Sequence, residues 1–455
     1  MKGISLFMKR IMKSSATATL ATLALALGPA SLQAAQITVP TDYPTIQDGV
    51  NAAGPGDTVL VLPGTYTISY AESPGWFGVA YIDTPGLQLK AAGPPGSVKI
   101  VGVVTAEDPG SWPAIKIGAD DVLVEGFDIS GFQEAINVGS WGAAGPVVTR
   151  GTRITRNRIH DMQTISESAG TGIELDLCSN CEIDHNTIDG GVQGIVLQGL
   201  SASGPNCQDH IHHNRAMNTA PIITVNGKGE EVISSGAVGI LVGQTPGCAL
   251  DNNECNNNGN TGIYLASSPN CTAENNKTDN NGSFAFSGMY NAVGDGIGIY
   301  IGSSANCTMV NNEANNNTGC GIWVGGPDCT VSNNEANGNA SYGIAVIGGG
   351  GSTVANNEAD NNGTVGSVWS IGIYVYVNSP GCTVVGNETD HNLADGIQTR
   401  FSCGSTFAFN VAKGNERYDL SDWDSPPTCN TYRENWAGTA WPTLGDWDVI
   451  TPPRR

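Results

Sequence analysis

The sequence predicts an all-β solenoid, built of short strands stacked coil on coil and closed at its start by one short helix. Three observations carry that prediction. A unit of 22–23 residues repeats, most clearly from Cys307 to Asn392, where Cys307-Thr-Met-Val-Asn-Asn-Glu-Ala is followed by Cys329-Thr-Val-Ser-Asn-Asn-Glu-Ala. Asparagine recurs at one place in each coil (Asn276, Asn312, Asn334, Asn357, Asn387) and again five residues later (Asn281, Asn317, Asn339, Asn362, Asn392). Each coil then returns to Gly-Ile, as at Gly262, Gly321 and Gly372. Repeats of this length bury their apolar side only against neighbouring copies, so they stack.

Taken in order, residues 1–35 read as a secretory leader. A basic stretch ending at Lys13 precedes an Ala/Leu run from Ala16 to Leu27, then small residues up to Ala34 and Ala35. The mature chain, 36–440, reads as a single solenoid domain with an N-terminal cap over 36–66 and a tail at 441–455. Asp42 is a good N-cap, and Ile46, Val50 and Ala53 share one helical face, which predicts a helix over 43–53. The segment Gly54-Pro-Gly-Asp57 stops it, and Thr58-Val-Leu-Val-Leu follows as a strand. Residues 79–150 hold irregularly spaced strands, such as Ala114-Ile-Lys-Ile and Val122-Leu-Val. Regular coils run over 150–415.

Alternation around the first asparagine sets the faces. Three residues before it stands an apolar side chain (Met309, Val331, Val354, Val384), which must point inward. Five before it, also inward, come Cys181, Cys248, Cys271, Cys307, Cys329 and Cys382, with Ser352 in one coil. A position that accepts Ser as well as Cys is small and buried, so these read as free, packed thiols. Cys403 and Cys429 lie off this register and can form a disulfide. Cys178-Ser-Asn-Cys181 has zinc-like spacing, but no second Cys/His pair completes a site. The asparagine rows read as ladders, because the amide both donates and accepts and Asn tolerates a left-handed turn.

The chain carries 42 acidic against 20 basic side chains, for a formal net charge of −22. That balance argues against nucleic acid or an anionic membrane as partner. No apolar run after the leader reaches the ~18 residues of a membrane span. The protein is expected to be secreted or periplasmic, and monomeric.

The opening Thr38-Val-Pro-Thr-Asp-Tyr-Pro-Thr-Ile-Gln, followed by Gly56-Asp-Thr-Val-Leu-Val-Leu-Pro-Gly-Thr-Tyr, resembles the start of pectin-lyase-like proteins. The later repeats resemble those of carbohydrate-binding and sugar-hydrolase domains and of periplasmic copper-maturation proteins. The resemblance spans nearly all of 36–436 and implies a right-handed parallel β-helix, a fold that hosts many chemistries. The motifs of its pectin methylesterases and pectate lyases are absent. Of the polygalacturonase motifs only Asp120-Asp121 is present, outside the right context.

Chemistry is therefore sought on the outer faces. On the Gly-Ile strands the residue after Ile points outward, giving Glu174, Tyr264, Tyr300, Trp323 and Tyr374. Two further on stand Asp176, Gln198, Tyr376 and Arg400. An exposed aromatic stripe rimmed by carboxylates and amides suits sugar rings. It makes Tyr264, Tyr300, Trp323, Tyr374, Tyr376, Gln198 and Arg400 candidate substrate-binding residues. Insertions at 161–171, 220–238, 283–295 and 364–371 precede these strands and are placed to wall a groove. Glu174 and Asp176 form a carboxylate pair of the kind glycoside hydrolysis uses. Arg156, His185 and His213 share a register on three successive coils. A base beside a cation suits proton abstraction next to a sugar carboxylate, as in lyases and epimerases.

The expected function is polysaccharide binding, with cleavage or epimerisation as the chemistry. Two other readings stay open. One is a non-catalytic scaffold or periplasmic accessory protein, with His185, His212 and His213 as copper candidates. The other is contact with a flat ordered surface, such as ice, by the row Thr272, Thr308, Thr330, Thr353, Thr383 and Thr406. Glu313, Glu335 and Glu358 stack on adjacent coils, where like charges ~5 Å apart repel by roughly 1 kcal/mol even in water. Solvent screens this, or Ca²⁺ relieves it. No other cofactor is expected.

Overall fold

Each repeat contributes to three parallel faces, two of them continuous sheets, and successive repeats pair in register. A computed structural model describes residues 34–69, 78–103, 113–142, 145–163, 170–199, 208–225, 231–282, 296–424, 429–441 and 449–450. Residues 1–33, which the sequence suggests are a leader, lie outside the described residues, as do Cys207, the insertion at 283–295, most of the tail and parts of the insertions at 161–171 and 220–238. The sheet that carries the threonine row has 15 strands, and the Gly-Ile sheet has 14. The third sheet begins with six strands and ends with four. Between them it narrows to single-residue bridges running from Arg215 through Glu254, Lys277, Glu313, Glu335 and Glu358 to Glu388. The winding is that of a right-handed parallel β-helix, the hand that parallel crossovers adopt. Threonine stands opposite threonine at 308, 330, 353, 383 and 406. Inward positions such as Ile263, Ile299, Val331 and Val354 are fully buried.

The first asparagine row is a continuous buried ladder. Asn312 donates from both its backbone N–H and Nδ2 to Asn334 Oδ1, each at 2.9 Å. Asn334 does the same to Asn357, and its Nδ2 also reaches the Met309 carbonyl at 3.1 Å. The pattern runs from Asn157 to Asn435. The second row runs from Asn258 to Asn415 and ends on a carboxylate, since Asn415 N and Nδ2 donate to Asp419 Oδ1. Asp419 Oδ2 accepts in turn from Thr439 N.

Left-handed geometry falls one residue earlier than expected. The positive-φ residues are Asn275, Asn311, Asn333 and Asn356, each just before a ladder asparagine. The ladder residue points inward, and its predecessor makes the turn. In the early coils that turn is made by Arg156, His185 and His213, with φ of 56°, 56° and 55°. The recurrent glycine has a cause in the second ladder. A Cβ on Gly321 would stand 2.7 Å from both Asn339 Nδ2 and the Gly343 carbonyl, closer than carbon approaches either.

At the N-terminal end the helix spans Ile46–Ala52, shorter than predicted, and its N-cap is Thr45 rather than Asp42. Thr45 Oγ1 accepts from Asp48 N at 3.0 Å, whereas Asp42 accepts from Thr38 N outside the helix. Gln47 pairs both of its amide groups with the backbone of Tyr81, covering the first strand of the Gly-Ile sheet. The cysteine column is buried, and Cys271, Cys307, Cys329 and Cys382 are free thiols. Cys181 departs from this expectation, because it bonds to Cys178. Cys403 and Cys429 are also joined.

Candidate functional site

Register on the outer face of the Gly-Ile sheet brings residues from distant parts of the chain into one column. Lys116 lies opposite Asn137, Asn137 opposite Glu174, and Glu174 opposite Val196. The column continues through Leu241 to Tyr264, Tyr300 and Trp323. Asp176 and Gln198 pair beside it.

Around Glu174 three carboxyls crowd together. Asn137 Nδ2 stands 3.4 Å from both Glu134 Oε2 and Asp176 Oδ2, and Gln198 Nε2 donates to Glu174 Oε1 at 3.2 Å. Glu134 and Glu174 share a hydrogen bond. Burial, then the charges of Glu134 and Asp176, push Glu174 up to about 8, with Lys116 opposing. Burial and Asp176 raise Glu134 to about 7. Burial also raises Asp176, against Asn137 and Lys116. Burial and mutual repulsion thus raise this coupled pair above the ordinary carboxylate range, which favours one proton shared between Glu134 and Glu174. Among the described residues, the buried Asn137 Oδ1 has no hydrogen-bond partner. Glu134, Asn137 and Lys116 were not anticipated from sequence. Their strands precede the regular repeats, so no register placed them beside Glu174.

The aromatic stripe is real as a column but only partly exposed. Tyr264 and Tyr300 are half-buried and stacked, with ring centroids 4.7 Å apart and planes 10° off parallel. Trp323 and Tyr374 are not surface platforms: they are 8% and 1% exposed. They join Tyr342, Cys320, Ile371 and Ala345 in a second apolar cluster outside the main core. The insertion at 364–371 supplies Ile371 to this cluster, and its Trp369 lies 6.4 Å from Tyr374. Tyr376 packs on Tyr374 at 4.9 Å, and Arg400 lies over the Phe401 ring. Alternation had identified the side of the sheet correctly, but it carries no information about what folds over it.

His185, His212 and His213 lie elsewhere, on the threonine-bearing sheet and the turns that follow its strands. His185 and His213 stack at 5.0 Å with planes 5° apart. His185 Nδ1 is 2.8 Å from Asp184 Oδ2, and Arg156 is paired with Glu125 at 2.6 Å. Arg153 grips Asp184 through Nε at 2.8 Å and Nη2 at 3.0 Å. Burial alone would raise the Asp184 carboxyl. Hydrogen bonds from Arg153, His185 and Thr155 outweigh it and hold Asp184 at about 2. Arg156, His185 and His213 thus share one edge as predicted, on a different sheet from Glu174 and Asp176, and Arg156 is already neutralised.

The family model for the right-handed beta helix region matches residues 148–295 and 289–433. The chain belongs to the right-handed β-helix family. Among solved structures, this β-helix is similar to the A-module of the mannuronan C-5 epimerase AlgE6 of Azotobacter vinelandii. That match has 18% identity over 90% of this chain and 93% of that one, with a TM-score of 0.52. It is also similar to a mannuronic acid specific polysaccharide family 6 lyase from human gut microbiota, with 15% identity over 92% and 91% and a TM-score of 0.54. A third is the family 6 alginate lyase AlyGC, with 14% identity, 92% of this chain, 53% of that one and a TM-score of 0.57. No curated protein sequence matches the chain.

Other expected features of this β-helix sort out physically. The stacked glutamates are relieved by neighbours and form no calcium cradle among the described residues. Asn315 donates to Glu335 at 3.0 Å, Asn337 to Glu358 at 2.8 Å, and Lys277 pairs with Glu313 at 3.0 Å. The copper trio also fails, because rings stacked face to face, as His185 and His213 are, do not aim their nitrogens at one point. No helix among the described residues is long and apolar enough to cross a membrane.

Proposed function

We propose that this exported β-helix acts on a polysaccharide, with its reacting centre at Glu134, Glu174 and Asp176. The observation that carries the reading is the half-buried grouping of Glu134, Glu174 and Asp176 on an outer strand face, where burial raises all three carboxyls above their ordinary range. An acid of this kind protonates a leaving oxygen, and the carboxylate beside it serves as base or nucleophile. Asn137, Gln198 and Lys116 supply hydrogen bonds and charge around it. Tyr264 and Tyr300 lie three and four rungs along the same column, roughly 14–19 Å away at the usual strand spacing. They would stack on sugar rings of a chain lying along the sheet. The named activities of the similar structures, epimerisation and lysis of mannuronic acid polymers, support a glycan substrate.

The test is turnover of alginate, polymannuronate, pectin and neutral glucans. Reducing ends report hydrolysis, ultraviolet-absorbing unsaturated ends report elimination, and proton NMR reports epimerisation. E174Q should lose activity by about 100-fold or more while melting as wild type does at acidic pH. Absence of turnover on every glycan, or full activity in E174Q, would overturn the proposal.

A further inference from the structure

We infer that Glu182, Asp184 and His212 form a binding site for a divalent transition-metal ion, separate from the Glu174 cluster. Their ligand atoms all lie within 4.8 Å of one another. Glu182 and Asp184 are the two outward residues of strand Glu182–Asp184, either side of the buried Ile183. His212 lies directly opposite Asp184 on the next coil. An ion held there ties two successive coils together.

The donor chemistry selects the metal. One imidazole and two carboxylates are ordinary zinc ligands, at about 2.0–2.2 Å from the ion. A hard ion such as Ca²⁺ wants six or more oxygens. Ligands tetrahedrally disposed around zinc stand roughly 3.4 Å apart. His212 Nε2 and Glu182 Oε1 are already 3.1 Å apart, so only Asp184 has to close in.

The surroundings hold the donors as metal ligands are usually held, by hydrogen bonds to their far sides. His212 Nδ1 lies 2.9 Å from His213 Nδ1, so with Nε2 on the ion Nδ1–H donates to His213. Asp184 already accepts from Arg153 through both oxygens and from Thr155 and His185 at Oδ2, which leaves a lone pair on Oδ1 for the ion. Arg153 Nε also lies 3.5 Å from Glu182 Oε2, which leaves Glu182 Oε1 on the side of His212. Three protein donors leave a fourth position for water or an exogenous ligand.

The experiment is equilibrium dialysis of the full chain against Zn²⁺, with bound metal counted by elemental mass spectrometry, and Co²⁺ as the coloured substitute. Wild type should bind one ion with a visible tetrahedral-type Co²⁺ spectrum. H212A and E182Q should weaken binding by 100-fold or more, and H213A by about 10-fold as loss of an outer hydrogen bond. E174Q should bind as wild type, which keeps this result independent of the polysaccharide reading. H212N, closer in shape, serves if H212A does not fold. Sub-stoichiometric uptake by wild type, or unchanged affinity in both H212N and E182Q, would overturn the inference.

Discussion

At the scale of single residues, Glu174 sets a pH dependence whose sign can be worked out. Its folded pKa, about 8, lies above the ordinary value of about 4.3. Between the two, the folded state holds a proton that the unfolded chain has released, so stability falls as pH rises through that window. E174Q stays neutral throughout. Its melting temperature should therefore gain on that of wild type between about pH 5 and pH 9; a constant offset would show that Glu174 is ionised in the fold. Glu174 and Asp176 were legible in the sequence because they lie two apart on a strand with a recognisable repeat. Glu134, Asn137 and Lys116 were not, because the coils that carry them are irregular, and pairing across 21 and 37 residues sets their position.

Strands, turns and ladders obey the repeat far more closely. Asn334 is buried and serves three partners: it accepts from Asn312 and donates to Asn357 and to the Met309 carbonyl. Asn334→Ala leaves all three unpaired, and the cost should be about 3 kcal/mol or more in urea unfolding. The Gly-Ile strands offer a finer contrast. The Tyr374 hydroxyl is buried with no partner among the described residues, so Tyr374→Phe should leave stability unchanged or higher, while Tyr374→Ala should cost about 3 kcal/mol. Tyr300→Ala, by comparison, should weaken glycan retention on an affinity gel more than it lowers the melting temperature. Equal effects of Tyr300 and Tyr374 substitutions on glycan binding would argue that the stripe works as one exposed platform. Periodicity located this stripe, but the covering by Tyr342 and 364–371 is tertiary, and no local pattern announces it.

For the whole molecule, stacking in register makes length a modular quantity. Residues 307–328 form one complete coil. Their removal would set Thr272 against Thr330, Asn276 against Asn334 and Tyr300 against Ala345, preserving every ladder. Such a deletion should fold and melt cooperatively, because each coil touches chiefly its two neighbours. Removing half that length would put ladder asparagines opposite turn residues, and the product should not give soluble, protease-resistant protein. Protease resistance of the half-coil variant would show that the ladders do not dictate register.

The ladders also give the stack an electrical direction. Every ladder amide oxygen accepts from the coil before it, so the carbonyls of the column point one way, oxygen toward the N-terminal coils. Aligned amides sum to a dipole whose positive end lies at the C-terminal coils, as peptide dipoles sum along a helix. The second ladder meets a buried carboxylate, Asp419, at that end, where a negative charge is most favoured. Asp419→Asn keeps the shape and removes the charge. The coils around 411–420 should then exchange their amide hydrogens faster than those around 181–190, so that the rod frays from its positive pole.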